Sequence, residues 1–182
     1  MSHHSLAKPA IVAAVLFVVA ILSWEFYLRS THFDLSFDDG GPLWTYHRER
    51  AYMTPDQGTV FIGSSRIKFD LDIPTWESLT GEKAVQLACV GSTPLPILHD
   101  LADDPAFKGK LIIDVTEGLF FSTNPGNSDR PITAMKYRKE ITPAQRASFY
   151  LNKPLESTFV FLDKDHYSTN AMLDALEIPS RE

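Results

Sequence analysis

Three apolar runs that each stop at small residues constrain the fold of this chain more than any other feature. The runs are residues 59–63, 84–90 and 110–116, and they end at Gly63-Ser64-Ser65, Gly91-Ser92-Thr93 and Glu117-Gly118. Apolar runs that are rich in β-branched residues and lack regular polar alternation are typical of strands buried on both faces of a parallel sheet. We therefore predict three such strands, each ending in a tight turn.

The segments between these runs have the sequence signals of helices. Pro74 suits the first turn of a short helix that ends at Thr80 before Gly81, and Thr93 suits the N-cap of a second helix that runs to about Asp103. The resulting β–α–β–α–β order implies right-handed crossovers and a parallel sheet. The predicted fold class is therefore α/β, with a three-layer, flavodoxin-like parallel sheet whose strands end at one common edge. Three strands are few for such a sheet, so an incomplete sheet is the alternative.

Helices are also predicted on both sides of this α/β region. Before it, a short helix is predicted from Pro42 through Ala51. After Phe121 the predicted elements are a loop over 122–131, a helix from Pro143 to about Leu151, a helix restarting at Pro154, and a last helix over 168–176. The run 157–162 leaves a fourth strand open as an alternative to helix.

The N-terminal segment is apolar over the length that a membrane span requires. Residues 9–28 are almost entirely apolar, and twenty helical residues span roughly 30 Å, the thickness of a bilayer core. Trp24 and Tyr27 occupy the place of an interfacial aromatic belt. Because the exit from the span has no A-x-A cleavage site, the sequence favours an uncleaved anchor over a cleaved signal peptide.

These observations divide the chain into five predicted segments. They are a cytoplasmic tail at 1–8, a transmembrane anchor at 9–28, a connector with a short helix at 29–58, an α/β core at 59–121 and a helical C-terminal extension at 122–182. Lys8 precedes the span and only Arg29 closely follows it, which favours an N-terminus inside the cell. We therefore expect a single-pass membrane protein with its C-terminal domain on the extracytoplasmic side.

The composition argues against several classes of partner. The formal net charge is −6 and there is no basic stripe, which argues against nucleic-acid binding. The single cysteine, Cys89, excludes an internal disulfide, and its apolar neighbours predict a small buried core residue. Apart from the adjacent pair His3-His4, the six histidines are scattered along the chain without metal-ligand spacing. Glycine-rich nucleotide-binding motifs are absent, so we expect no metal and no cofactor.

The three turns resemble the first three sequence blocks of the SGNH/GDSL hydrolase superfamily. They are spaced by 26 residues from Ser65 to Gly91 and by 27 residues from Gly91 to Gly118. In that family the first block is Gly-Asp-Ser, and its serine is the nucleophile. The resemblance implies that Gly63 matches the glycine, that Ser64 replaces the aspartate, and that Ser65 is the nucleophile. This Gly-Ser-Ser variant is similar to that of membrane-anchored members that transfer acyl groups on cell-envelope polymers.

The resemblance also implies an oxyanion hole. The second block of the family supplies a glycine N–H to that hole, and Gly91 matches it, so the N–H groups of Ser65 and Gly91 are the implied donors. The third block normally supplies an asparagine side chain. Here the matching positions hold Glu117 and Gly118, which leaves Gly118 as a candidate third donor.

The family's general base is the histidine of an Asp-x-x-His pair near the C-terminus. Asp163 and His166 match this pair. Because no secure strand returns the chain to the sheet edge after Phe121, we expect His166 to lie more than about 8 Å from Ser65, beyond hydrogen-bond reach. The functional histidine would then lie beyond Glu182 in a longer protein, or come from another chain.

Two functions follow from the resemblance. One is a membrane-anchored serine esterase or O-acyltransferase in which Ser65 attacks an acyl ester of an extracytoplasmic glycan or polymer. The other is a non-catalytic anchored protein that binds or assembles with other envelope proteins and has lost the oxyanion hole. In both cases the expected partners are the lipid bilayer and envelope components, and no nucleic acid. A nucleotide-binding domain is a third, weaker alternative.

Overall fold

The computed structural model describes residues 7–31, 38–163 and 173. The chain divides into two compact units, Asp39–Arg146 and the combination of Met1–Asp38 with Ala147–Glu182. We call the first the sheet unit and the second the anchor unit. His166, most of the predicted tail, part of the connector (32–37) and the predicted helix over 168–176, except Leu173, lie outside the described residues.

The described part of the chain is mixed α/β. Its strands are β1 (Gly58–Ile62), β2 (Lys83–Gln86) and β3 (Lys110–Ile113). Its α-helices are α1 (Ala7–Ser30), α2 (Gly41–Glu49), α3 (Ser65–Asp70), α4 (Ile73–Thr80), α5 (Leu95–Ala102), α6 (Glu117–Phe120), α7 (Asp129–Glu140) and α8 (Pro143–Glu156). Two short 3-10 helices cover Pro125–Ser128 and Val160–Leu162.

The three strands form a parallel sheet, as predicted, in the order β2-β1-β3. In this register Val60 of β1 lies opposite Val85 of β2 and Leu111 of β3. All residues of the central strand β1 are buried, which explains its uninterrupted apolar sequence. β2 and β3 end earlier than the predicted runs 84–90 and 110–116, at Gln86 and Ile113.

Helices cover both faces of β1. The core on one face consists of Val60, Ile62, Val85 and Leu87 from the sheet and its extension, with Trp44, Ile97, Leu101 and Ala134 from α2, α5 and α7. Strand alternation sends Phe61 to the opposite face. There its ring meets the edge of Trp76 in α4, with ring centroids 5.0 Å apart. Fully burying one such large side chain contributes about 1.5–3 kcal/mol, so the buried residues of β1 contribute to the stability of the sheet unit through both faces.

A buried arginine joins α2 to α5 within the sheet unit. The Arg48 side chain is fully buried, and its guanidinium donates to Asp100 and to Asp104 at 2.8 Å each. The Tyr52 hydroxyl also donates to Asp104, at 2.7 Å. Burial disfavours the Arg48 charge most strongly, but the hydrogen bonds that Arg48 donates to both carboxylates outweigh it and raise the pKa of Arg48 above its ordinary value. Arg48 is therefore held as a paired, permanently charged group.

Three sequence predictions about helices were wrong. Residues 129–131, predicted as loop, begin α7, because Pro131 falls in its first turn, where a missing N–H breaks no helical bond. The N-cap of α5 is Pro94, and Thr93 instead accepts the N–H of Leu95 through its hydroxyl at 3.4 Å. Finally, α8 continues through Pro154 as one helix rather than restarting there.

In the anchor unit, α1 covers the predicted span 9–28 and is the one helix of the described residues that is long and apolar enough to cross a membrane. Glu25 near its C-terminal end accepts the Arg29 side chain at 2.7 Å and the backbone N–H groups of Val160 and Phe161 at 3.1 and 3.2 Å. Residues 160–162 form a 3-10 helix, so both alternatives considered for 157–162, a strand and a continued α-helix, were wrong. The Glu25 carboxylate, in an otherwise apolar helix, thus accepts hydrogen bonds from three residues of the anchor unit.

Candidate functional site

The Gly63-Ser64-Ser65 turn leads from the buried strand β1 directly into α3. Ser64 is the N-cap of α3, and Ser65 is its first residue. Ser64 is 1% exposed, whereas Ser65 is half-buried. The Ser65 hydroxyl is therefore the accessible one of the two. As the first residue of α3, Ser65 also has a backbone N–H with no carbonyl partner inside the helix.

Glycine is required at position 63 by close packing. A Cβ atom at this position would lie 2.6 Å from Cγ2 of Ile67 and 2.8 Å from Cβ of Asp114. Both distances are shorter than van der Waals contact, so any side chain here would push α3 or the segment after β3 away. Gly63 thus lets Ile67 of α3 and Asp114 both pack closely against the end of β1.

The loop after β2 lies beside this turn. Beyond the last residue of β2, the Cys89 N–H still donates to the Gly63 carbonyl at 3.2 Å. Gly91 follows with φ of 64°, a left-handed conformation that favours glycine, and it is exposed. The Thr93 N–H donates to the Asn127 carbonyl at 2.8 Å, which fixes the end of the loop. Ser65 and Gly91 therefore both follow the carboxyl ends of neighbouring parallel strands.

Asp114 is a residue at this edge that the sequence analysis did not single out. Its N–H donates to the Ile62 carbonyl at 2.9 Å, which extends the pairing of β3 with β1 by one residue. Its half-buried carboxylate accepts the Thr116 hydroxyl at 3.4 Å. Its position in the sequence could have indicated Asp114, because it is the first polar residue after an apolar run, at the carboxyl end of a strand.

The third predicted turn, Glu117-Gly118, forms the start of α6 rather than a turn. Both residues are exposed, and no heavy atom lies within 4 Å of a Cβ built on Gly118. The structure therefore shows no packing that requires glycine at 118. Its assignment as a third oxyanion donor stays a prediction.

The predicted Asp163–His166 pair is described only through Asp163. Asp163 belongs to the anchor unit, is 7% exposed, and follows the 3-10 helix Val160–Leu162. His166 lies outside the described residues, so the predicted distance to Ser65 stays a prediction. Within the described ranges the histidines are His47 in α2 and His99 in α5.

Cys89 is the other nucleophilic side chain near this edge. It is half-buried and packs against the core, in part as predicted. Burial raises the pKa of its thiol to about 11. Because the thiolate is the reactive form, Cys89 is protonated at neutral pH and is a poor nucleophile there. Among residues 7–31 and 38–163, no group of acidic, histidine and cysteine side chains is arranged to hold a metal ion.

The packing around Gly63 predicts a large difference between two glycine substitutions. We expect Gly63→Ala to destabilise the sheet unit by about 1–3 kcal/mol, because the added methyl group overpacks the space against Ile67 and Asp114. Gly118→Ala is the matched control, and we expect it to change stability by less than about 0.5 kcal/mol. Thermal unfolding followed by circular dichroism measures both. Equal midpoints for the two variants would contradict the packing argument.

Comparison of the chain with models of protein families, with curated proteins and with solved structures gives no match.

Proposed function

We propose that this protein is a membrane-anchored, SGNH-like serine esterase or O-acyltransferase that acts on acylated glycans or polymers of the cell envelope. The observation that carries the proposal is the position of Ser65. It is an accessible serine directly after the central, fully buried strand, at the carboxyl edge where ligands bind in open α/β sheets. The SGNH-like class is proposed from the sequence resemblance, and the role of Ser65 is proposed from its position at the end of the central strand.

The strand order supports the proposal. The order β2-β1-β3 is that of the first three strands in a flavodoxin-like, doubly wound sheet. In such a sheet the crevice between β1 and β3 is a topological switch point, and Gly63 and Asp114 flank it here.

The proposed chemistry is nucleophilic acyl transfer. The Ser65 hydroxyl oxygen attacks the ester carbonyl carbon and passes its proton to a general base, a role that the family resemblance gives to a histidine. The N–H groups of Ser65 and Gly91 hold the developing oxyanion. The ester C–O bond then breaks, the alcohol takes the proton, and the acyl group remains on Ser65. Water or an acceptor hydroxyl releases the acyl group and completes hydrolysis or transfer.

The proposed location is the extracytoplasmic side of a membrane. The support is the apolar helix α1 at the N-terminus, with Lys8 at one end and Arg29 at the other. The stacked rings of Trp24 and Tyr27, 5.7 Å apart, lie near the Arg29 end, as interfacial aromatic residues do.

Labelling with a fluorophosphonate probe tests the proposal. This reagent forms a covalent bond with activated serine hydroxyls, so we expect it to modify the full-length protein at Ser65. The Ser64→Ala variant is the matched control and should retain labelling, because the Ser64 side chain is buried. Peptide mapping by mass spectrometry identifies the modified residue. Equal labelling of the wild type and Ser65→Ala would remove Ser65 from the proposed role.

A non-catalytic binding or assembly protein is the second candidate function. It is favoured by Glu117, which is exposed at the start of α6 where the family has an asparagine. A carboxylate beside an oxyanion repels it unless the carboxylate is protonated. If neither the wild type nor Ser64→Ala reacts with the probe while both are folded, this second candidate is the better explanation.

A further inference from the structure

Helix α8 exposes an apolar stripe that the sheet unit and its proposed function do not explain. Leu151 is 70% exposed and Leu155 is 46% exposed. Residues four apart lie on the same helical face, so these two leucines form a continuous stripe, and no residue of α8 is buried. Asn152 is also exposed but is rotated by about 100° from Leu151, towards the polar face.

The end of α8 is held at the end of the apolar helix α1. Two residues after α8, the Thr158 carbonyl accepts a hydrogen bond from the Arg29 side chain. The Glu25 carboxylate then accepts the N–H groups of Val160 and Phe161 at 3.1 and 3.2 Å. These contacts lie within the anchor unit. They fix the chain that follows α8 to the last two turns of α1.

This attachment determines the depth of α8 when α1 spans a bilayer. The last turns of α1 carry Trp24 and Tyr27, which place them at the membrane–water interface. The C-terminal end of α8, two residues before Thr158, then lies close to the level of these last turns. Amphipathic helices at this level bury their apolar face about 5–10 Å into the boundary between headgroups and acyl chains.

We propose that residues 147–156 of α8 lie in the interfacial layer of the bilayer, with Leu151 and Leu155 in contact with lipid. The anchor unit then contacts the membrane in two places: α1 spans the bilayer, and α8 lies on its surface. The bilayer is the occupant because the chain directly after the stripe is hydrogen-bonded to the interfacial end of α1. The inference does not depend on whether Ser65 is catalytic.

Site-specific fluorescence in lipid vesicles tests this inference. Two variants of the full chain, Leu151→Cys and Asn152→Cys, are each made with Cys89→Ala. The single cysteine of each variant carries the environment-sensitive fluorophore NBD. A label at Val18, in the middle of α1, reports insertion of the span. Phosphatidylcholine vesicles contain lipids with a nitroxide quencher at a shallow or a deep position. Circular dichroism confirms that the variants keep the wild-type helix content, and Leu155→Cys repeats the measurement at a second stripe position.

We expect the label at Leu151 to be quenched by the shallow nitroxide about twofold more than the label at Asn152, and the label at Val18 to be quenched most by the deep nitroxide. Equal, weak quenching at Leu151 and Asn152, with full access to aqueous iodide, would overturn the proposal. Shielding of Leu151 from iodide without quenching by lipid nitroxides would also overturn it, because protein rather than lipid would then cover the stripe. Absence of deep quenching at Val18 would also overturn the proposal, because α1 would then not span the bilayer.

Discussion

Replacing Arg48 by alanine is expected to destabilise the sheet unit by about 3 kcal/mol, at the lower end of the range for breaking a buried ion pair. The Arg48 side chain is fully buried and its removal leaves Asp100 and Asp104 without their cation. The effect is at the lower end because both carboxylates keep some contact with solvent. For a chain of this size the loss corresponds to a fall of about 6–12 °C in the unfolding midpoint.

Arg50 provides a matched control for this substitution. It lies two residues further along the same helix end, is exposed, and makes its described hydrogen bond with the Tyr46 hydroxyl. We expect Arg50→Ala to change stability by less than about 0.5 kcal/mol. Thermal unfolding in detergent measures both variants. An Arg48→Ala midpoint within error of that for Arg50→Ala would show that the buried arginine contributes no more than a surface one.

The same cluster gives the stability of the sheet unit a defined dependence on pH. Hydrogen bonds from Tyr52 and then from Arg48 hold the pKa of Asp104 at about 2, below its ordinary value. A carboxyl group with a lowered pKa stabilises the folded state above its unfolded pKa of about 3.9. That contribution is lost as the pH falls from about 4 towards 2. Asp104→Asn should remove this part of the acid sensitivity, and an unchanged acid profile in the variant would contradict the assignment.

Replacing Ser65 by alanine is expected to lower the turnover of an activated acyl ester by about 10³-fold or more, because the covalent acyl-enzyme can no longer form. Ser64→Ala should have a much smaller effect on turnover. The Ser64 side chain is 1% exposed and cannot reach a substrate without a change in the fold. The measurement is hydrolysis of para-nitrophenyl acetate by the full-length protein in detergent.

Stability provides the control for the two serine variants. The Ser64 hydroxyl has no hydrogen-bond partner among the described residues, so its removal leaves no buried partner unsatisfied and should not lower the unfolding midpoint. Ser65→Ala, at a half-buried helix start, should also fold normally. Retained turnover in folded Ser65→Ala, or a loss as large in Ser64→Ala, would reject the proposed nucleophile.

The sequence by itself determined the local elements that depend on periodicity and chain chemistry. The apolar run 59–63 predicts β1, and Gly81 correctly marks the end of α4 with φ of 72°. The length and hydropathy of residues 9–28 predict α1. These features could be predicted because burial on both faces, a left-handed helix end and the thickness of a bilayer each impose a pattern on consecutive residues.

Only the tertiary structure decided how distant residues pair. Nothing in the local sequence connects Arg48 with Asp100, or Glu25 with the N–H groups of Val160 and Phe161, because each partner lies far away along the chain. The same reason applies to the place of Asp114 beside Gly63. Burying a charge or a backbone N–H is favourable only when the fold brings a hydrogen-bonding partner to it. A partner that is distant in sequence leaves no periodic pattern around the buried residue.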